Sequence, residues 1–428
     1  MGRSFMESMT PRFSICIPTI GRFDLIKTAL ESLQKQTLQD FEVIIGDSHR
    51  NPDIVQYVAG LQDSRIRVVH PPPDAGAFAP WDYPPRFARG EYLMWLDDDN
   101  YLLPFALELF SNTITRTGAD IITASHLYYY DPAHPKPELR RSIGIVPFTG
   151  KEYAIDLDKT LRQIFSFARP QRGEVAPRFH FSATIVSRKV IEKAYQKLGH
   201  VLFPDLPHMH SLTPVLFSFA KNCTFVDLPV SVIGRLGVSM GQSWSTSARK
   251  RFERKEKKAG LSPLTAYTKI NTRYESYLRV RQELPDYFKD ILIDEEKFAE
   301  IHLQELLLLD MPLATTFRSW REFFSFLKRI KEPTRSRLKR KTVLYAVLSP
   351  LIYCSRRVRL HYVRRSIVGL FKGTEQSPKQ AVHSWTREFS IPLPREAVYD
   401  SIVGVGENAR ELIHSMTGHE LALPQTTA

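Results

Sequence analysis

The chain has 428 residues, enough for two or three units, and its 43% apolar content with 26 Phe and 17 Tyr supplies ample material for packed cores. That composition excludes wholesale disorder, and three widely spaced cysteines (Cys16, Cys223 and Cys354) exclude a disulfide framework or a zinc-ligand spacing and fit a reducing, cytoplasmic setting. A formal net charge of +13 points to a polyanionic partner, either nucleic acid or an anionic membrane surface.

The N-terminal stretch "MGRSFMESMTPRFSICIPT" lacks the long apolar core of a signal peptide. Nowhere do 18 consecutive apolar residues occur, so no spanning helix is expected. "FSICIP" (13–18) is rich in β-branched and aromatic residues, stops at Pro18, and reads as a strand. "FDLIKTALESLQKQ" then places Leu25, Ile26, Ala29, Leu30 and Leu33 on one helical face. "FEVIIGD" (41–47), "RIRVVH" (65–70) and "EYLMWLD" (91–97) read as further short strands, with a helix from about Pro104 to Thr117. Another strand, "ADIITASHLYYY", follows Gly118.

Strands alternating with helices predict a mostly parallel sheet covered on both faces, in which ligands bind beyond the carboxyl ends of the strands. Asp47 and the cluster Asp97, Asp98, Asp99 all fall at those ends. From 131 to 178 the pattern weakens. Strands are expected again at "FHFSATIVSR" and "CTFVDLPVSVIG", with a helix around 188–198. After Arg235 the chain turns polar and basic, and helical patterns dominate from about 263 to 371.

Three adjacent carboxylates repel one another unless something positive compensates. A hard divalent cation does so, since Mg²⁺ or Mn²⁺ takes one or two carboxylates and leaves its other positions to phosphate oxygens and water. The plainer reading is a solvated acidic loop at a helix start.

"FSICIPTIGR", "LESLQKQTLQDFEVIIGD" and "ARGEYLMWLDDDNYLLP", in that order and spacing, resemble a family 2 glycosyltransferase of the GT-A fold over roughly residues 12–235. The resemblance implies a bacterial-type, nucleotide-sugar-dependent hexosyltransferase of polysaccharide biosynthesis, inverting, with Mn²⁺ or Mg²⁺ as cofactor. It implies that Asp99 ligates the metal and that Asp97 or Asp98 contacts the metal or the sugar-nucleotide. Pro18 and Thr19 match the nucleotide-contacting turn, and Asp47 matches the residue that recognises the base, usually uracil. The segment "GAFAPWDYPPRFARG" departs from the family's usual Arg-Asn pattern, and Arg86 within it reads equally as a candidate for the diphosphate or as a solvated arginine. The family's general base falls on Asp205 of "FPDLPHMHSL", with His208 and His210 as alternatives beside it.

Residues 311–372 hold sixteen Lys or Arg against two Glu, with aromatics interleaved. Basic amphipathic helices of this kind suit the surface of an anionic membrane, which expects a peripheral protein on the cytosolic face. A nucleic-acid groove and a solvated helical bundle are the competing readings. The expected division is a GT-A catalytic domain at 1–240, a linker and helical region at 241–310, basic helices at 311–372 and a tail of unknown role at 373–428. "SIVGVGENA" (401–409) imitates a dinucleotide-binding motif, but no room remains for a βαβ unit, so a helix start or tail segment is expected. The functional expectation is transfer from a UDP-sugar to a hydroxyl of a glycan or lipid-linked acceptor. The alternatives are a catalytically silent scaffold at the membrane and a nucleic-acid-binding protein.

Overall fold

A computed structural model describes residues 10–75, 78–146, 148–168, 179–203, 208–237, 261–266, 268–308, 313–357, 389–393 and 401–417. Two compact units divide the chain: Met1–Leu157 with Gly173–Ala248 and Glu388–Ala428, and Asp158–Arg172 with Arg249–Arg387.

The first unit is a sheet flanked by helices. Its elements begin β1 (Phe13–Thr19), α1 (Phe23–Gln34), β2 (Phe41–Asp47), α2 (Pro52–Gly60), β3 (Ile66–Val69), the single turn α3 (Ala79–Asp82) and β4 (Tyr92–Trp95). Every residue of β1 and β2 is buried, as continuous apolar runs require when a strand is covered on both faces. β1 lies between β2 and β4, parallel to both, and β3 extends the parallel set beyond β2. α1 packs Ile26, Ala29, Leu30 and Leu33 into the core, with Leu25 partly buried against it.

The rest of the sheet is mixed. β5 (Asn100–Leu102) and α4 (Ala106–Thr117) lead to β6 (Ile121–Tyr130), then β7 (Ser142–Ile145) and β8 (Glu152–Ile155). After α5 (Leu157–Phe165), β9 (Thr184–Ser187) runs antiparallel between β4 and β6. α6 (Arg188–Leu198) and α7 (His208–Phe219) precede β10 (Cys223–Arg235), which is parallel to β6 and antiparallel to β5 and β8. Two strands hide in the poorly patterned 131–178 stretch. β8 is an edge strand alternating between exposed and half-buried residues, so no apolar run announces it.

The second unit takes in α5 from Asp158 onward, with α8 (Lys269–Glu283), α9 (Pro285–Phe288), α10 (Glu295–Leu308), α11 (Leu313–Phe326) and α12 (Thr334–Arg357). Thr268 caps α8, its side chain accepting from the Asn271 N–H at 3.0 Å. Aromatic stacking builds the core: Tyr274 lies on Phe298 with ring centroids 4.1 Å apart, and Phe165 of α5 lies against Tyr277 at 4.8 Å and Phe288 at 5.0 Å. No helix among the described residues is long and apolar enough to cross a membrane. On α12 the exposed Lys339, Arg340 and Lys341 adjoin Val343 and Leu344, which are 54% and 47% exposed.

Of the stretch 373–428, expected from sequence as a tail of unknown role, Glu388–Ala428 falls in the first unit. β11 (Phe389–Pro392) pairs antiparallel with β7 and lies at the end of the sheet. α13 (Ile402–Glu407) and α14 (Ala409–Thr417) follow, and Ile402, Val405, Ala409 and Leu412 join the main core. "SIVGVGENA" is a helix start: Ser401 caps it by accepting from the Gly404 N–H at 3.1 Å. A Cβ on Gly406 would collide with the Tyr101 ring, so this glycine serves close packing rather than phosphate binding.

Candidate active site

The parallel register of β1, β2 and β4 delivers Thr19, Asp47 and the Asp97–Asp99 cluster to one edge of the sheet, beyond the strand carboxyl ends. Pro18 sits buried within β1 opposite Gly46. The three aspartates have different surroundings, and the difference assigns their chemistry.

Asp98 is fully buried. Its Oδ2 accepts from the Thr19 hydroxyl at 2.6 Å and from Arg22 Nε at 3.0 Å, while Oδ1 takes Arg22 Nη2 in an ion pair. Thr19 Oγ1 also accepts the Arg22 backbone N–H at 3.2 Å, tying the start of α1 to the same point. Burial pushes the Asp98 carboxyl up, and the Arg22 guanidinium beside it pulls the other way. Burial likewise works against the Arg22 charge, but Asp98, Asp99 and Asp97 outweigh it and hold its pKa above the ordinary value. A bidentate, buried pair of this kind is a structural clamp with its acceptor sites engaged.

Asp97 is partly buried and accepts only from Trp81 Nε1, at 3.0 Å, among its resolved side-chain hydrogen bonds. Burial, with the charge of Asp99 next, pushes its carboxyl up to about 7. A carboxylate pushed up in this way beside a second one forms a place where a cation lowers the energy. Among the described residues no three His, Cys, Asp or Glu side chains gather closely enough to hold a metal alone. The donor set nevertheless suits Mg²⁺ or Mn²⁺ shared with a diphosphate, which needs only one or two carboxylates.

The backbone here is braced from two sides. Ser182 Oγ accepts from the Asp97 N–H at 3.1 Å and from Asn100 Nδ2 at 2.7 Å. Asn100 Oδ1 in turn accepts from the Gly234 N–H at 3.0 Å, and a Cβ on Gly234 would strike the Asp99 carbonyl oxygen. β10 therefore passes directly against the cluster.

Asp47 is also fully buried, and its two oxygens accept backbone N–H groups of its own loop, from His49 at 2.9 Å and Asn51 at 2.6 Å. This carboxylate shapes the turn into α2 as it faces the edge. Arg86, considered from sequence for the diphosphate, is engaged with groups of the protein itself. It donates to Asp82 Oδ2 and to the Gly199 carbonyl, both at 2.9 Å, and lies over the Tyr195 ring. Asp82 in turn accepts from the Val201 and Leu202 N–H groups at 2.8 and 3.0 Å, fixing the chain just ahead of 204–207. Asp205 lies outside the described residues, as does the side chain of His208; His210 is half-buried near the start of α7.

Arg22, Trp81 and Ser182 are the site residues that sequence reasoning passed over. Arg22 ends the quoted "FSICIPTIGR", but nothing local ties an arginine at a helix start to an aspartate 76 positions on. Ser182 carries no sequence signal at all.

Residues 14–194 match the family described as Glycosyl transferase family 2. Over 102 residues the chain is 35% identical to the putative colanic acid biosynthesis glycosyl transferase WcaA of Escherichia coli, covering 23% of this chain and 37% of that protein. Over 104 residues it is 33% identical to the GalNAc(5)-diNAcBac-PP-undecaprenol beta-1,3-glucosyltransferase of Campylobacter jejuni, covering 23% of this chain and 32% of that one. The chain thus spans between 28% and 37% of the length of the first curated relatives it matches. Among solved structures, S. aureus TarS 1-349 in complex with UDP-GlcNAc aligns with a TM-score of 0.50 at 16% identity, over 82% of this chain and 93% of that one. That likeness is one of fold, and the fold is GT-A.

Proposed function

We propose that this chain, a family 2 glycosyltransferase, moves a sugar from a UDP-sugar to a hydroxyl of a glycan or lipid-linked acceptor, with inversion and with Mn²⁺ or Mg²⁺ as cofactor. The observation that carries the proposal is the unequal treatment of the three aspartates at the sheet edge. Asp98 is clamped by Thr19 and Arg22, and Asp97 remains a proton-avid carboxylate next to Asp99.

Asp99 and Asp97 are the residues that would hold the cation. When bound, it would neutralise charge growing on the diphosphate as it leaves. Asp98 holds the end of β4 against the start of α1, so the two ligands do not shift as charge changes. Pro18, Thr19 and Asp47, at the carboxyl ends of β1 and β2, are proposed as the residues beside which the nucleotide lies. Asp205 is proposed as the base that takes the proton from the acceptor hydroxyl. The acceptor oxygen then bonds to the anomeric carbon on the face opposite the diphosphate, whose bond to that carbon breaks, and UDP departs. A lipid-linked acceptor agrees with the exposed Lys339, Arg340, Lys341, Val343 and Leu344 of α12, which have the chemistry of a peripheral anchor on the cytosolic side of a membrane. It agrees also with the undecaprenol-linked substrate in the name of the Campylobacter relative.

The test is a panel of nucleotide sugars with Mn²⁺, scored for donor binding, hydrolysis and transfer. Asp99→Ala is expected to reduce kcat/KM by roughly 100-fold or more. If no donor is bound or hydrolysed and Asp99→Ala changes nothing, the proposal fails.

A further inference from the structure

Arg235 ends β10, one residue beyond the glycine that lies against the Asp99 carbonyl. Its guanidinium sits over the Tyr128 ring, 4.6 Å from the centroid, and it forms no ion pair with any described carboxylate. The neighbouring Asp131 accepts from the Gly237 N–H at 3.0 Å instead. Tyr128 is itself fixed, its hydroxyl 3.0 Å from His126 Nε2 and the two rings edge to face at 4.9 Å. His126 packs against His180, two residues before the Ser182 that braces Asp97. The result is a half-buried cation held rigid by an aromatic ring and connected by short packing steps to the carboxylate cluster. By contrast, Arg22 and Arg86 at this end of the sheet already have carboxylate partners.

A guanidinium without a carboxylate partner among the described residues, beside a site for phosphorylated substrates, is a partly preformed anion receptor, since its stacking on Tyr128 lowers the cost of ordering it on binding. We infer that Arg235, pre-oriented by Tyr128, receives a phosphate oxygen of the reacting pair, either the diphosphate of the donor or a phosphate carried by the acceptor. The inference rests on the proposed function and adds a substrate-binding residue to it.

Full-length protein is tested with Arg235→Gln, Arg235→Lys and Tyr128→Leu, each first checked for an unchanged melting temperature. Titration with UDP and Mn²⁺, with uridine as the control lacking phosphate, reads the donor arm. Titration with a polyprenyl diphosphate in detergent micelles reads the acceptor arm. Loss of one charge-assisted hydrogen bond predicts binding weakened roughly 10- to 100-fold by Arg235→Gln in one arm. Uridine binding stays constant, Arg235→Lys recovers part of the loss, and Tyr128→Leu gives a smaller loss in the same arm. Weakening confined to UDP assigns the donor phosphate; weakening confined to the polyprenyl diphosphate assigns the acceptor. Unchanged affinity in both arms, where the wild type binds UDP and Asp99→Ala does not, overturns the inference and leaves the proposed function standing.

Discussion

The sheet edge and the helical unit both bury titratable groups, but they do so to opposite ends. At the edge, Asp97 and Asp98 are pushed toward protonation while Arg22 holds a charge in their midst. In the helical unit His302 is buried and neutral, hydrogen-bonded through Nδ1 to Thr268 at 3.0 Å and set between the Phe298 and Phe323 rings. On α12 of that unit Lys339, Arg340 and Lys341 are exposed. A core whose task is stability favours a buried neutral group such as His302 over a buried charge. One that buries charged groups together is maintaining a polar arrangement at a cost in stability, and that arrangement is where ligand chemistry is expected.

The strongest way to break this contrast is at Arg22. Arg22→Leu strands the buried Asp98 carboxylate and is expected to lower unfolding stability by about 3 kcal/mol or more in urea titrations. The double variant Arg22→Leu with Asp98→Leu should recover part of that loss. No loss in the single variant would mean that the clamp contributes nothing.

Acid titration probes the helical unit. Burial lowers the His302 pKa to about 3, below its unfolded value near ~6.5, so the unfolded chain takes up the proton first. Its stability contribution is complete above pH ~6.5 and falls by up to ~1.4 kcal/mol per pH unit below it, levelling off near the folded value. His302→Leu is expected to flatten that slope in denaturant titrations between pH 6.5 and 4.5, and a slope left intact would reassign it.

A smaller effect tests whether residues beyond 388 belong to the sheet core. Gly406→Ala forces a methyl group into the Tyr101 ring and is expected to cost ~1–2 kcal/mol, read as a lowered melting temperature. The smallest stability effect is expected on α12. Replacing Val343 and Leu344 by Ser should change stability by less than ~0.5 kcal/mol because both are exposed. It should nevertheless reduce flotation with anionic liposomes, and equal flotation would count against docking through that face.

Much of the sheet was legible because its signals are local. β2 matches its expected bounds, α6 begins and ends as the pattern indicates, and β1 differs by one residue. β7, β8 and β11 were not legible, since each is only four residues long, too short to carry a sustained apolar or alternating run. At the site, the position of the carboxylate cluster was readable from strand order, but the roles of its members were not.

The sequence by itself determined that three aspartates end a buried parallel strand, because apolar periodicity and chain order are properties of neighbouring residues. Only the tertiary structure decided that Asp98 is clamped by Thr19 and Arg22 and that Asp97 meets Trp81. It alone carries Arg235 to Tyr128 and the 389–417 stretch to the sheet. Those contacts join positions far apart in the chain, and their partners are chosen by packing geometry, which no local spacing records.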